Sequence, residues 1–142
     1  MHLIGQLALH KCAAAITRKD AGHAEARENW MQMIEAIIQP ERLDAVKTAL
    51  ATLGITGITA LESKGFGRQC NQTVNYRGMH MAVEFCPKVL LKLCVKDHDA
   101  SPAVNAIVNA GRTGKVGDGK VFVYPVSDAV RIRTGELNEL AL

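Results

Sequence analysis

The chain has 142 residues, 48% of them apolar and 22% charged, and its formal net charge is +3. This length suits a single folded domain, and the composition excludes a disordered chain. The basic residues are scattered and the aromatic residues are only three Phe, two Tyr and one Trp, which argues against a nucleic-acid-binding surface. No apolar run approaches the length of a membrane span, so we predict no membrane insertion.

Residues 1–32 lack the patterning of the rest of the chain. His10 and Lys11 interrupt the only apolar stretch, so no secretory signal peptide is predicted. The first 19 residues contain three Lys or Arg and no acid, which is weakly typical of an organelle transit peptide; a simpler hypothesis places the physiological start at Met31 or Met33. We predict that residues 1–32 are an N-terminal extension, disordered or not native, and that residues 33–142 form the domain.

The first predicted elements are a strand, a helix and a second strand. Residues 33–38, MIEAII, form a short apolar run that predicts a buried strand. Apolar residues recur at helical spacing over residues 43–53, with Pro40 suited to the first turn and Gly54 to the C-terminal cap. Residues 55–64 are rich in β-branched side chains and predict a strand.

From residue 65 to about residue 87 the pattern lapses, which predicts a long loop, and such loops in compact domains are commonly functional. Residues 88–95 predict a strand, and Ser101-Pro102 predicts the start of a second helix. Residues 121–124 predict a fourth strand, and residues 129–132 would make a short fifth. The order β-α-β-β-α-β predicts an α+β, ferredoxin-like fold. Because one sheet face would stay uncovered, we expect the chain to oligomerise through it.

A glycine-rich segment, Thr113 to Lys120 (TGKVGDGK), is the first candidate binding site. Three glycines let backbone N–H groups converge on an anion, and two lysines neutralise it, so the segment predicts a phosphate cradle. It matches part of a P-loop, but Val121 follows instead of Ser or Thr, and the predicted next element is a strand instead of a helix. We therefore exclude a P-loop NTPase.

Arg131 and Arg133 are the second candidate. In an extended segment alternate residues point to one face, so both guanidiniums would be able to fork onto phosphates. With the glycine-rich segment they predict a triphosphate site. The alternative is that the glycines only form a turn and that both arginines are solvated.

The four cysteines, Cys12, Cys70, Cys86 and Cys94, show no C-x-x-C pair and no zinc spacing. Free intracellular thiols are therefore expected. Cys70 and Cys86 lie near the two ends of the long loop, and a redox-responsive pair is the alternative.

Four motifs resemble those of the PII nitrogen-regulatory family in the same order, over Met33 to about Glu136. Lys64-Gly-Phe-Gly-Arg-Gln69 is similar to the entry of that family's long T-loop, and Tyr76-Arg-Gly78 to its tip. Thr113 to Phe122 is similar to its B-loop, and Arg131 to Glu136 to its C-terminal element. The resemblance implies a homotrimer with ATP or ADP in each of three clefts between subunits.

The resemblance also implies roles for individual residues. Thr59 and the backbone near Cys94 would lie by the adenine. Gly65 and Gly67, at the entry of the T-loop, would belong to the same cofactor-binding set. Gln69 would complete an octahedral Mg²⁺ shell shared by ATP phosphates and 2-oxoglutarate, whose distal carboxylate would pair with Lys88. The residues implied to hold phosphates are Arg68, Gly117, Asp118, Gly119, Lys120, Arg131 and Arg133.

The function implied is regulation without catalysis, in the cytoplasm. Effectors would select T-loop conformations, and the loop would dock on targets such as an ammonium transporter or a nitrogen-assimilation enzyme. Two alternatives stay open: a slow ATP-hydrolysing enzyme, and a PII-like trimer that senses a different small ligand.

The sequence departs from the family pattern at several positions. Met81 and Met79 occupy the positions where many relatives carry a uridylylated tyrosine or a phosphorylated serine, and a thioether accepts neither group. Cys70 begins a stretch where many relatives have a basic and glycine-containing run. Lys92 stands where relatives often place an acid near the nucleotide. Partner choice and nucleotide preference are therefore left open.

Overall fold

The computed structural model describes residues 31–67, 73–76, 79–82 and 85–142 of the chain. The strands are β1 (Met31–Ile38), β2 (Thr59–Gly65), β3 (Thr73–Tyr76), β4 (Met79–Ala82), β5 (Cys86–Lys96) and β6 (Lys120–Val126). The helices are α1 (Leu43–Thr52), which follows a 3₁₀ turn at Pro40–Arg42, and α2 (Asp97–Gly111). A second 3₁₀ turn spans Asn138–Ala141.

Four strands form one antiparallel sheet in the order β2-β5-β1-β6, with both helices on one face. Strands β3 and β4 pair with each other in a separate two-stranded sheet. The sheet order and the helix placement are those of the predicted ferredoxin-like fold, which is thus confirmed.

The core lies between the helices and the sheet. Alternate residues of β1, Ile34, Ala36 and Ile38, are buried there, as period-2 geometry requires. The helices contribute residues at helical spacing, such as Val46 and Leu50 of α1. The other set of strand residues faces away from the helices, and we call that side of the four-stranded sheet the open face.

Several predicted boundaries are wrong. Strand β1 begins at Met31, two residues earlier than predicted, and β2 begins at Thr59, four residues later. Helix α2 begins at Asp97, and Pro102 lies inside it instead of starting it. Proline removes one backbone donor, and this close to the N-terminus that costs the helix a single hydrogen bond.

Two predictions about irregular segments also need correction. The segment with no sequence period contains two short paired strands, β3 and β4. Residues 129–132 do not form a fifth strand, because the only ladder contact there is an isolated bridge between Val130 and Leu137. In the described parts of the chain, neither helix combines the length and the apolar character needed to cross a membrane.

Candidate functional site

The glycine-rich segment forms a loop that joins α2 to β6, and we call residues 112–119 the glycine loop. Its glycines have positive φ angles of 82° at Gly114, 101° at Gly117 and 105° at Gly119. Residues other than glycine rarely adopt this backbone conformation, so the fold of the loop depends on these glycines. The loop lies beside the C-terminal end of β1.

Asp118 organises the glycine loop. Its Oδ2 accepts hydrogen bonds from the backbone N–H groups of Thr113 and Gly114, both at 2.8 Å. Its Oδ1 accepts from the Gln39 side chain at 3.1 Å and from the Thr113 hydroxyl. Four donors on one carboxylate fix the loop backbone and tie it to the end of β1.

The same contacts lower the pKa of Asp118. The Thr113 hydroxyl contributes most, followed by the backbone N–H of Thr113, while that of Gly114 and the charge of Arg42 act in the same direction. Burial of the carboxyl opposes them. Because the folded-state pKa is depressed, the contribution to stability is present at neutral pH and is lost only as the pH falls through that lowered value.

Gly119 packs against the backbone of β1. A Cβ atom at this position would lie 1.7 Å from the carbonyl oxygen of Ile37, far inside any permitted contact. Lys120, the next residue, pairs with Ile37 in the β1–β6 ladder. The end of the glycine loop is thus held against the sheet with no room for a side chain.

Lys88 connects β5 to the glycine loop. Its side chain is almost buried, with 9% of the residue exposed, and its ammonium donates to the Gly117 carbonyl oxygen at 2.6 Å. Across the ladder, a Cβ added to Gly65 would lie 3.2 Å from Lys88 Cγ, so this glycine gives the lysine stem its space. Lys88 and Gly65 therefore lie in the same region as four other predicted site residues: Gly117, Asp118, Gly119 and Lys120.

The connection from β2 to β5 is closed at its base by two aromatic rings. Phe66 and Phe85 lie with centroids 6.0 Å apart and planes tilted by 59°. Gly67 follows on the exposed side. The predicted ligands Arg68 and Gln69 lie outside the described residues, so their roles stay predictions.

Thr59 and Cys94 lie on the open face at a distance from the glycine loop. Thr59 pairs with Lys92, and Cys94 is two residues further along β5. From Lys120, Cys94 is four residues along the strands and two strands across, roughly 16 Å away. The predicted adenine contacts and phosphate contacts are therefore not adjacent within one copy.

Arg131 and Arg133 lie even further from the glycine loop. Strand β6 starts at Lys120 and runs for seven residues before the arginines, a length of roughly 20 Å. The ion pair between Lys96 and Glu139, at 3.9 Å, holds the C-terminal segment beside the far end of the sheet. The two motifs of one copy thus flank opposite ends of β6, and the predicted triphosphate site stays a prediction.

The C-terminal segment also differs from the predicted extended conformation. Arg131 starts a tight turn closed by a hydrogen bond of 2.7 Å from Gly135 N–H to its carbonyl oxygen. Its guanidinium pairs with Glu136 at 2.8 Å and donates to the carbonyl oxygen of Leu142 at 2.8 Å. The prediction that strand alternation aligns Arg131 with Arg133 is wrong, because the two residues are not in a strand.

The arrangement can be compared with known proteins. The sequence profile of the family described as "Nitrogen regulatory protein P-II" matches residues 31–136. The chain belongs to this family. It is 52% identical over 106 residues to the P-II protein of Rhodospirillum rubrum, an alignment that covers 75% of this chain and 95% of that protein. It is 48% identical over 112 residues to P-II 1 of Escherichia coli K12, covering 79% and 100%.

A solved structure gives the same result for the fold. Arabidopsis thaliana PII bound to citrate matches this P-II chain with a TM-score of 0.67 and 36% identity, over 83% of this chain and 97% of that one. The family resemblance stated from the motifs is confirmed. The chain is a nitrogen-regulatory signalling protein.

Sequence reasoning did not find two residues of the site in this P-II chain. Gln39 hydrogen-bonds Asp118 from 79 positions away, and Arg42 adds its charge to the same carboxylate. Both residues follow β1, and they reach the glycine loop because the folded sheet places the end of β1 beside that loop. No local pattern marks either of them.

The prediction of free thiols is wrong for Cys86 of this P-II chain. Cys94 is a free thiol, and burial raises its pKa, whereas Cys86 is bonded in a disulfide at the start of β5. Cys12 and Cys70 lie outside the described residues. Cysteine spacing in the sequence did not show the disulfide, because a disulfide requires proximity in space.

The disulfide predicts a labelling pattern. In protein purified without reductant and then denatured, iodoacetamide should alkylate Cys94 but should alkylate Cys86 only after treatment with dithiothreitol, since a disulfide sulfur is no nucleophile. Peptide mass mapping with and without reductant measures both sites in one sample. Alkylation of Cys86 in the unreduced sample would contradict the disulfide.

Proposed function

We propose that this P-II chain works in the cytoplasm as a homotrimer that binds ATP or ADP and 2-oxoglutarate between its subunits, and that it catalyses no reaction. One observation carries the proposal. The glycine loop precedes strand β6, whereas Arg131 and Arg133 follow its other end, and the strand between them is roughly 20 Å long. A second copy is the simplest way to bring both groups to one phosphate chain.

The glycine loop is well suited to the phosphate end of a nucleotide. Asp118 fixes its backbone, so the N–H groups need no rearrangement when an anion binds. Lys120 adds positive charge at the end of the loop. The two arginines of a neighbouring copy would complete the site. Arg133 has no ion-pair partner among the described residues, and Arg131 would release Glu136 to bind phosphate.

The adenine end would reach the neighbour's open face, at Thr59 and the backbone near Cys94. Thr59 on β2 pairs with Lys92 on β5, and Cys94 lies two residues further along β5 on the same face of the sheet. In the proposed assembly, these residues of one copy would face the glycine loop of its neighbour. The proposed cleft is thus completed only by assembly.

For the effector, we assign the distal carboxylate of 2-oxoglutarate to Lys88 and the Mg²⁺ contact to Gln69. Lys88 supports this role because its ammonium already lies against the glycine loop, 2.6 Å from the Gly117 carbonyl oxygen. The Arabidopsis relative was solved with citrate, which like 2-oxoglutarate carries more than one carboxylate. Mg²⁺ would supply a positive charge shared between the nucleotide and the effector.

Effector binding would act on the segment between β2 and β5, which carries Gln69 and leads directly to Lys88. Binding at Lys88 would therefore change the conformation of the end of that segment. We propose that its conformation decides whether a target, such as an ammonium transporter or a nitrogen-assimilation enzyme, is bound or released.

A slow ATP-hydrolysing enzyme is less well supported. Asp118 is the carboxylate of the glycine loop, and both of its oxygens already accept hydrogen bonds. A general base needs an oxygen that can reach the attacking water. ATP turnover faster than a very slow background would overturn this judgement.

Calorimetry tests the proposed function directly. Titration of 2-oxoglutarate into the protein should show binding when Mg-ATP is present and little binding when it is omitted, because the nucleotide brings the metal that the effector binds. The trimer should be visible by native mass spectrometry in the same samples. Equal 2-oxoglutarate binding with and without Mg-ATP would contradict the proposal, and binding of a different dicarboxylate alone would indicate another sensed ligand.

A further inference from the structure

One end of the β2–β5 ladder carries a covalent bond that the proposed function does not use. Cys86, the first residue of β5, is bonded in a disulfide, and its cross-strand partner is Gly65, the last residue of β2. Disulfides are rare in the cytoplasm, and those that form there are usually catalytic or redox-sensing. In a protein proposed to work in the cytoplasm without catalysis, this bond points to redox sensing.

The disulfide lies beside the proposed effector residue. Lys88 follows Cys86 by two positions on β5, so both side chains project to the same face of the sheet. A Cβ added to Gly65 would lie 3.2 Å from Lys88 Cγ and 3.8 Å from its Cε, so the lysine stem passes over the residue that pairs with Cys86. The ammonium then reaches the Gly117 carbonyl oxygen at 2.6 Å. The position of this ammonium therefore depends on the Gly65–Cys86 pair.

The aromatic contact beyond that pair is a weak restraint. The rings of Phe66 and Phe85 lie 6.0 Å apart, but the two residues are 70% and 54% exposed, so their contact removes little apolar surface from water. Ends of secondary-structure elements open locally at small free-energy cost. A covalent bond at Cys86 adds a restraint of a kind that the two rings do not supply.

The bond is placed where a reductant can reach it, because Cys86 is only half-buried. In exchange with a dithiol, a thiolate of the reductant attacks the disulfide, and its second thiol completes the reaction. The S–S bond breaks, two electrons and two protons pass to the protein, Cys86 and its partner cysteine become thiols, and the dithiol closes to a disulfide. Cys94 of the same strand is a free thiol and takes no part in this exchange.

We propose that the Cys86 disulfide is a redox switch of effector affinity: the oxidised chain holds Lys88 ready for the distal carboxylate of 2-oxoglutarate, and reduction releases this end of the ladder and weakens binding. A side chain already held in its binding position loses less freedom when the ligand arrives. The inference rests on the proposed function, which assigns the effector to Lys88. It adds the thiol redox state as a further input, with Cys86 as a positioning residue.

Calorimetric titration of 2-oxoglutarate in the presence of Mg-ATP, on one preparation in two redox states, tests the switch. Treatment with dithiothreitol should raise the dissociation constant about tenfold, and reoxidation with diamide should restore it. Cys86→Ser should bind like the reduced wild type and should not respond to dithiothreitol. Cys94→Ser, which removes the free thiol of the same strand, is the matched control and should keep the full response.

Two further measurements separate a local switch from general loosening. The affinity for Mg-ATP alone should not change with redox state, because Asp118 holds the glycine loop through other contacts. Hydrogen exchange followed by mass spectrometry needs no ligand, and peptides covering residues 59–65 and 86–92 should exchange faster after reduction. Cys86→Ser should exchange fast in both states.

Equal 2-oxoglutarate affinity in the two redox states, unchanged hydrogen exchange, or a parallel loss of Mg-ATP affinity would each overturn the inference and leave the proposed function standing. Absence of 2-oxoglutarate binding in both states would overturn the proposed function and the inference with it.

Discussion

Replacement of Gly119 by alanine should lower the free energy of unfolding by about 3–5 kcal/mol and abolish nucleotide binding. The added Cβ would lie 1.7 Å from the Ile37 carbonyl oxygen, so either the glycine loop or β1 must move. The φ angle of 105° adds the strain of a conformation that L-residues avoid. Urea unfolding followed by circular dichroism measures the loss of stability.

Two other glycines provide matched controls for Gly119→Ala. Gly57→Ala should change stability by less than about 1 kcal/mol, because a Cβ there meets nothing within 4 Å and its φ angle is not positive. Gly114→Ala should cost only the conformational strain, about 1–2 kcal/mol, because its φ angle is 82° but the space around it is open. A Gly119→Ala protein no less stable than Gly114→Ala would show that the close contact with Ile37 is absent in solution.

Replacement of Lys88 by methionine should weaken 2-oxoglutarate binding on the order of 100-fold while leaving the fold intact. Methionine keeps the apolar stem in its nearly buried position but removes the ammonium that contacts the Gly117 carbonyl oxygen. The proposed ion pair with the effector carboxylate is lost entirely. Calorimetric titration in the presence of Mg-ATP measures the effect.

Lys96→Met is the control for Lys88→Met, since both lysines lie on β5 and their side chains point to the same face. Lys96 pairs with Glu139 at 3.9 Å at the opposite end of the strand, with a side chain 42% exposed. Its replacement should leave 2-oxoglutarate affinity unchanged within about twofold, because surface ion pairs contribute little. An equal loss in both variants would indicate a general charge effect and would contradict a specific role for Lys88.

The elements with a strong period were predictable from the sequence. The apolar run at residues 33–38 and the helical spacing over residues 43–53 correspond to β1 and α1, because burial on one face imposes those periods. The start of α2 was not predictable by the Ser101-Pro102 rule. The helix starts five residues before Pro102, at Asp97, and the proline inside it removes one backbone donor.

The glycine loop was predictable as an irregular segment because its three glycines interrupt any helical or strand period, and its role as an anion site stays a prediction. Its relation to Arg131 and Arg133 was not, since their distance depends on the direction in which β6 crosses the sheet. Gln39 and Lys88 reach the loop from distant parts of the sequence through the folded sheet. Contacts of this kind depend on topology, which residue periodicity does not encode.

The hydrogen bonds of Asp118 and the close packing of Gly119 against Ile37 have a thermodynamic consequence for signalling. A cradle that is rigid before its ligand arrives loses little conformational entropy on binding, so the binding free energy is not consumed in shaping it. That free energy is then available to choose among states of other parts of the protein. Whatever rearrangement carries the signal should therefore arise away from the glycine loop, on the side of the ligand that faces the β2–β5 connection.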